Sequence, residues 1–449
     1  MKKIVPKISL YSIALSLMIS SCATSQVAIS SISASDTLVT ALIAQSPVFR
    51  QSHTGFSLYD LEKQTTLATY NADRYFIPAS NTKLYTFYAG ISILGDSIPA
   101  LKYVEHGDSL IFWGTGDPTL LHPDLPTSKV PDFLKNWKGK LFWAAGTTQK
   151  RYGLGWSWDD YNDYYQAEVT QLPIYGNIVR FETKGIKLDY LPDIIENITY
   201  TNSTDDDKTE IKIVRDEHQN KFEVFIDPTQ KKETTDVPFV TSDSLVLQLL
   251  ADTLNKNIEV IDYKKYKRAE IKTLYSLPVD VIYKQMLQQS DNMLAEQVLV
   301  LCASQFDSLN NLSTTKPTID SIKTKLMSDL PDEPIWVDGS GLSRYNLVTP
   351  RATAKLLEKL YTKIPQQRLF DLLPTGGKSG TIKSSFKNTT PFIFAKSGSF
   401  SNTYNISGYL RAKSGKILAF SFMNNNFTKP TSEIRKEVER ILGIIRDKY

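Results

Sequence analysis

Phe76-Ile-Pro-Ala-Ser-Asn-Thr-Lys83 carries a proline-marked irregular segment into the run Lys83-Leu-Tyr-Thr-Phe-Tyr-Ala-Gly-Ile-Ser-Ile-Leu94. That run is apolar almost all round and predicts a buried helix. Residues three apart share a helix face, so the Lys83 amine lies within hydrogen-bond reach of the Ser80 hydroxyl. A nucleophile with its own base is the chemistry this spacing offers, and the amides of a helix N-terminus add stabilisation for an oxyanion at the same place.

Ser-x-x-Lys alone says little, because it also occurs at Ser313-Thr-Thr-Lys316 and Ser384-Ser-Phe-Lys387. Ser313 reads as part of a polar linker running into Lys316-Pro317. Ser384 sits in a Lys/Ser-rich stretch with no apolar helix behind it. Neither has a rigid support, which leaves Ser80 and Lys83 as the pair with a scaffold.

Outward from this pair, residues 37–44 predict a short helix, and 54–60 and 66–71 alternate apolar and polar residues about Glu62-Lys63, as two antiparallel strands and a turn would. From about residue 98 to 267 the pattern changes to short alternating runs, such as 109–113, 140–144 and 210–214. Turn clusters at Gly114-Thr-Gly-Asp-Pro118 and 202–208 separate them. This predicts an inserted, mainly β region of one or two subdomains. Its aromatic stretch, 153–161, reads as a packed local cluster in preference to a sugar platform. Helical patterns return at 242–254, 279–287, 292–301 and 350–360, the last with Pro350 at its start. Strands follow at 392–395, 405–411 and 416–423, with a hairpin at Lys413-Ser-Gly415 and a closing helix from about Ser432.

Two more elements complete a constellation. Ser290-Asp-Asn292 brings a hydroxyl and a side-chain amide two residues apart between helical segments; these residue types also favour a helix N-cap, and the two roles are compatible. A look-alike, Ser308-Leu-Asn310, lies in a polar linker. Lys-Ser-Gly occurs at Lys378, Lys396 and Lys413. Lys413 belongs to the hairpin turn, and Lys378 to a glycine-rich loop that is not a phosphate loop, since the first glycine of that motif would fall on Leu372. Lys396 ends a strand, where Lys396 and Ser397 face the carboxylate of an extended substrate and Gly398 permits close approach.

In the order Ser80, Lys83, Ser290, Asn292, Lys396, this set resembles the penicillin-binding proteins and serine β-lactamases. Within them it is most similar to the D-alanyl-D-alanine carboxypeptidase/endopeptidase family of low-molecular-mass class C, peptidase family S13. The long gap from Ser80 to Ser290 fits that family's insertion. Asp338-Gly-Ser-Gly-Leu-Ser-Arg-Tyr-Asn-Leu-Val-Thr-Pro350 resembles its signature segment, and Leu373-Pro-Thr-Gly-Gly-Lys-Ser-Gly-Thr381 with Ala395-Lys-Ser-Gly-Ser399 and Tyr404-Asn405 matches its C-terminal pattern. Two departures are Ser397 where threonine is usual, and the lack of an arginine in 381–386.

The resemblance implies an α/β (α+β) fold: a serine β-lactamase/transpeptidase-like domain, an antiparallel sheet flanked by helices, built from 37–97 and 268–449 and interrupted by 98–267. It implies that Ser80 is acylated with neutral Lys83 as base, the lysine's basicity lowered by burial and by nearby Lys396. Ser290 relays a proton to the leaving amine, and Asn292 holds Lys83 and the substrate amide. Lys396, Ser397, Gly398 and Ser399 bind substrate, and the N–H groups of Ser80 and Ser399 form an oxyanion hole. The substrates implied are peptidoglycan stem peptides ending in D-Ala-D-Ala, with β-lactams as inhibitors and no metal or organic cofactor. Carboxypeptidase and endopeptidase action share this one acylation centre. Two other readings stay open: a serine β-lactamase or esterase of the same fold, and a non-catalytic surface-binding lipoprotein.

Composition bounds these readings. The chain has 449 residues, 41% hydrophobic and 22% charged, a globular composition too long for a single core. Residues 1–21 have a basic start (Lys2, Lys3, Lys7), an apolar run from Ile8 to Ile19 and small residues before Cys22, as a secretory leader does. The net charge of +4 falls to about +1 without that leader, and nothing in it suggests a nucleic-acid partner. Ile19-Ser-Ser-Cys22 resembles a bacterial lipobox, which implies a lipid anchor on Cys22, a serine-rich tether over 22–36, and a periplasm-facing lipoprotein of the cell envelope. Cys302 is left as a core thiol, and the four histidines show no metal-ligand spacing. Without a histidine, the whole scheme depends on a lysine that can lose its proton. Lys83→Arg, which cannot deprotonate, is expected to abolish covalent labelling of Ser80 by a fluorescent penicillin while the protein stays folded; labelling at the wild-type rate would rule Lys83 out as the base.

Overall fold

A computed structural model describes residues 37–144, 151–184, 187–193, 198–202, 213–226, 231–261, 270–306 and 315–449. The expected leader, Cys22 and the tether lie outside these residues, as do 203–208 of the turn cluster, 308–310 and Ser313.

Helix α1 (Thr37–Ala44) precedes the hairpin of β1 (His53–Asp60) and β2 (Thr65–Tyr70), which turns at residues 61–64. A 3-10 turn at Ala79–Asn81 leads into α2 (Thr82–Ile93), buried from Thr82 to Gly90 as its all-round hydrophobicity demands. The chain then leaves this half through β3 (Ser97–His106). There follow β4 (Ser109–Gly114), α3 (Val130–Asn136), β5 (Lys140–Trp143), β6 (Ile178–Lys184), β7 (Lys187–Leu191), β8 (Ile198–Asn202), β9 (Ile213–Arg215), β10 (Phe222–Ile226), β11 (Glu233–Pro238), α4 (Asp243–Leu254), β12 (Ile258–Val260) and β13 (Lys272–Pro278).

These strands form a five-stranded sheet in the order β12-β5-β4-β3-β13 and two three-stranded sheets, β11-β6-β7 and β8-β10-β9. β3 and β13 pair antiparallel, from Lys272↔Tyr103 to Pro278↔Ser97. The outgoing and returning strands of the insertion are thus zipped together, which draws residues beyond 267 into its sheet. Helices α3 and α4 cover a core of Val130, Leu134, Val246, Leu250, Phe181 and Val224.

The second half supplies α5 (Asp280–Gln288), α6 (Asn292–Phe306), α7 (Lys316–Leu326), α8 (Pro350–Lys363), α9 (Gln366–Leu372), β14 (Ile393–Phe400), β15 (Thr403–Arg411), β16 (Ile417–Asn425) and α10 (Thr431–Lys448). α7 corrects the reading of Lys316-Pro317 as linker: the proline opens a helix that buries Ile319 and Ile322.

The five-stranded sheet β14-β15-β16-β1-β2 is antiparallel throughout. Its centre joins the two ends of the chain, β1 running against β16 from His53↔Asn425 to Asp60↔Leu418. One face packs on α2, α5, α6, α8 and α9 through residues such as Leu84, Val298, Leu356 and Met423. The other packs on α1 and α10 through Val39, Phe56, Phe422, Val438 and Ile441. The fold is therefore α+β, a sheet between two helical layers with a large β-rich insertion.

Ile441 on α10 has no exposed surface. Ile441→Ala is expected to cost about 3 kcal/mol, as truncations of fully buried aliphatic side chains do, read as a lowered midpoint in denaturant; an unchanged midpoint would mean that α10 does not hold this layer.

Candidate active site

The sheet aims the Ser80 segment through asparagine side chains. Ile77 N–H donates to Asn425 Oδ1 at 2.7 Å and Ile77 C=O accepts from Asn405 Nδ2 at 2.8 Å. Asn81 Nδ2 reaches the Lys396 carbonyl at 3.0 Å. Between these clamps Ala79 takes a φ of +46°, a left-handed conformation that a non-glycine residue holds only where its surroundings demand it. The sharp turn presents Ser80, half-buried, ahead of α2.

Lys83 is completely buried. Its Nζ lies 3.0 Å from Ser80 Oγ, 2.7 Å from Asn292 Oδ1 and 2.8 Å from the Ser340 carbonyl. Burial brings its pKa down to about 8, against the opposing pull of Asp291, Glu296 and Asp338. Lys396, equally buried, donates to Ser290 Oγ at 2.9 Å and to the Ser397 carbonyl at 2.7 Å. Burial and then the charge of Lys83 hold Lys396 well below the ordinary lysine range. Of the two causes expected for the Lys83 shift, burial is the one that lowers it, and Lys396 is not among the groups that move it.

The Ser290-Asp-Asn292 segment divides its tasks. Asp291 Oδ1 accepts from Leu294 N–H at 2.9 Å and caps α6. Ser290, at φ +63°, is thereby left to Lys396 and Asn292 to Lys83. The Asn292 amide is oriented from the insertion, because its Nδ2 donates to the Tyr165 carbonyl at 3.1 Å.

The third motif lies on β14, the edge strand of the sheet. Ala395 N–H donates outward to the Pro374 carbonyl at 2.9 Å, so by alternation the N–H groups of Ser397 and Ser399 face the same side. Ser397 Oγ is 2.7 Å from Thr381 Oγ1, and Ser399 is exposed. A Cβ on Gly398 would come within 2.8 Å of the backbone nitrogens of Ser80 and Asn81. Only glycine lets the strand lie this close to the turn that carries Ser80.

The segment 338–350 folds around one buried carboxylate. Asp338 accepts from Gly341 N–H and Asn346 Nδ2 on one oxygen, at 2.9 and 2.7 Å, and from Ser343 N–H and Trp156 Nε1 on the other, at 2.6 and 2.9 Å. The product of this knot is the Ser340 carbonyl placed on Lys83. Trp156 is thus packed as expected of the aromatic stretch, whereas Trp158 is 70% exposed.

Burial separates each motif from its copies. Lys316, Lys387, Lys378 and Lys413 are exposed, while Lys83 and Lys396 have no accessible surface. The structure brings Ser80, Lys83, Ser290, Asn292, Lys396, Ser397, Gly398 and Ser399 to one place. It adds Tyr165 and Ser340, which act through backbone carbonyls and leave no mark in a motif, and Glu296, four residues past Asn292 on the same helix face. Cys302 is buried with its thiol pushed up by desolvation.

The model of the D-Ala-D-Ala carboxypeptidase 3 (S13) family matches residues 36–443. The chain is 22% identical over 429 residues to the D-alanyl-D-alanine carboxypeptidase DacB of Haemophilus influenzae, spanning 87% of this chain and 88% of that protein. It is 28% identical over 191 residues, 39% of each chain, to the carboxypeptidase DacB of Mycolicibacterium smegmatis. The crystal structure of penicillin binding protein 4 (dacB) from Haemophilus influenzae shares the fold, with a TM-score of 0.71 at 20% identity over 91% of this chain and 99% of that one.

Gly398→Ala is expected to push β14 off the Ser80 turn and slow acylation of Ser80 by about 100-fold, the scale of a misplacement near 1 Å. Stopped-flow labelling with a fluorescent penicillin measures it, and an unchanged rate would mean that the close approach is not needed.

Proposed function

Since the chain belongs to the D-Ala-D-Ala carboxypeptidase 3 (S13) family, we propose that Ser80 is the nucleophile and Lys83 the base of a serine-type D-Ala-D-Ala carboxypeptidase and/or peptidoglycan DD-endopeptidase. The observation that carries this reading is the partner set of Lys83 Nζ. Two of its three partners, Asn292 Oδ1 and the Ser340 carbonyl, can only accept. A neutral amine has two N–H bonds for them and one lone pair, which then faces the Ser80 hydroxyl. With a pKa of about 8, the lysine is near the range where a general base works best.

In the proposed reaction the Ser80 proton passes to Lys83 Nζ as Oγ attacks the carbonyl between two D-alanine residues. The N–H groups of Ser80 and Ser399 hold the oxyanion. The C–N bond breaks as the proton held by Lys83 passes through the Ser290 hydroxyl to the leaving amine, which returns Lys83 to its neutral form. Water then attacks the acyl-enzyme, one of its protons going to Lys83 and on to Ser80 Oγ as the ester C–O bond breaks, and the shortened peptide leaves as an acid that ionises to a carboxylate. Lys396 reads the substrate's terminal carboxylate: bringing that anion beside it favours its charged form, against the burial that lowers its pKa in the free protein. The segment Ser397 to Ser399 receives the peptide along the strand edge, and Asn292 steadies its amide.

The reading extends to place and partners. The basic-apolar leader and Ile19-Ser-Ser-Cys22 support an exported lipoprotein, anchored by lipid on Cys22 in the bacterial cell envelope and facing the periplasm. Among the described residues no helix is long and apolar enough to cross a membrane. The substrates are peptidoglycan stem peptides ending in D-Ala-D-Ala, and β-lactams acylate the same serine.

Purified protein incubated with labelled penicillin and with a muropeptide ending in D-Ala-D-Ala is expected to take the label and release D-alanine. Ser80→Ala is expected to do neither. Equal labelling of the two proteins would overturn the assignment, and rapid loss of the label with no release of D-alanine would point to a β-lactamase.

A further inference from the structure

The geometry points to Glu296 as a positioning residue of the acylation step, one that places the Ser340 carbonyl on Lys83 and whose charge sets the pH at which the lysine becomes a base. The inference rests on the reading of Lys83 as the base.

Glu296 follows Asn292 by four residues on α6, so the two side chains share a helix face. Asn292 meets Lys83 directly, and Glu296 meets it through one peptide unit. The Glu296 carboxylate is 4% exposed and accepts from Gly339 N–H at 3.0 Å and from Ser340 N–H at 2.7 Å. The carbonyl of that same Ser340 accepts from Lys83 Nζ at 2.8 Å. There is no slack in the arrangement. A Cβ on Gly339 would lie 2.5 Å from the Ala295 carbonyl, and one on Gly341 would lie 1.9 Å from the Ala79 carbonyl. The turn is therefore wedged, backbone against backbone, between α6 and the 3-10 turn that carries Ser80. Thr86 Oγ1 holds its third side by donating to the Gly339 carbonyl at 2.6 Å.

The charges around Glu296 give the electrostatic half. Asp338 on the turn acts on it, while Asp291 at the start of α6, Glu296 and Asp338 all act on Lys83 of α2, whose charge acts in turn on Lys396 of β14. Burial and Asp338 raise Glu296 to about 7. Ionised Glu296 stabilises protonated Lys83 and so opposes loss of the proton. The sign follows directly. Removing the charge lets Lys83 act as a base at lower pH, whereas removing the reach loosens the Ser340 carbonyl and slows acylation at every pH.

Two substitutions separate the halves. Glu296→Gln keeps the length and one acceptor oxygen without the charge; Glu296→Asp keeps the charge and loses a methylene of reach. Acylation of Ser80 by a labelled penicillin is followed across pH in both. For Glu296→Gln the acid limb, on which the rate rises as Lys83 loses its proton, is expected to move down by about one pH unit and the plateau to fall roughly tenfold, the scale of one lost charge interaction and one lost hydrogen bond. For Glu296→Asp the plateau falls and the limb stays. A purely structural role lowers plateau and melting temperature in both and leaves both limbs in place, which overturns the proposal. If neither variant folds, the wild-type 13Cε titration of Lys83 decides: a curve with a second step from the carboxyl group supports the link, and a single step overturns it. Failure of the wild type to acylate at all would count against the nucleophile reading, and the titration would still test the link between Glu296 and Lys83.

Discussion

A lysine amine taken entirely out of water is the constraint on which this protein is arranged. Burial disfavours the charged form, and an amine deprived of water must find its hydrogen bonds within the protein. Lys83 finds them on three separate stretches of chain: the 3-10 turn of Ser80, the first residue of α6, and the backbone of the 338–350 turn. Two of the three are obligate acceptors, and that asymmetry turns a buried cation site into a place where a neutral amine meets a hydroxyl. Shifting any one of the three contributors would leave a buried polar group without its partner.

The supports of this site are mostly indirect. Asparagines of β15 and β16 hold the backbone of Ile77, so the position of Ser80 is set by the sheet. The insertion takes part as well. The Tyr165 carbonyl fixes the Asn292 amide with its oxygen toward Lys83, and Gln297 on α6 donates to the carbonyls of Gly116 and Thr170. Tyr165 is steadied in turn by its neighbour Gln166, whose side chain donates to the Ser157 carbonyl at 2.8 Å. A region that reads from sequence as a separate β module is thus joined by hydrogen bonds to the helix carrying two elements of the site, and the zipped pair β3 and β13 fixes the angle at which it stands.

Legibility in the sequence followed the range of the interaction that decides each feature. The buried helix after Pro78 and the strands 405–411 and 416–423 were readable because burial there is continuous or alternates along the chain. The Ser80–Lys83 spacing was readable for the same local reason. The three Lys-Ser-Gly copies look alike locally and were told apart by what flanks them; burial of Lys396 against exposure of Lys378 and Lys413 is the physical counterpart of that choice. α7 was missed because the polar residues running into Lys316-Pro317 hid a helix that opens there. Burial was rightly expected to lower Lys83, and the part expected of Lys396 was not found, because how two buried amines act on each other depends on the placement of segments that no local pattern encodes.

By itself the sequence determined which side chains the fold gathers at the candidate site, their order along the chain, and the α+β class, since each of these is written in residue types at short spacing. Only the tertiary structure decided how they act: that Asp291 caps α6 and frees Ser290, that burial unaided lowers Lys83, and that the peptide carbonyls of Ser340 and Tyr165 hold the base and its amide. The physical reason is that every residue carries the same carbonyl. What distinguishes one carbonyl is where the fold places it, and that placement is set by contacts between segments far apart in the chain.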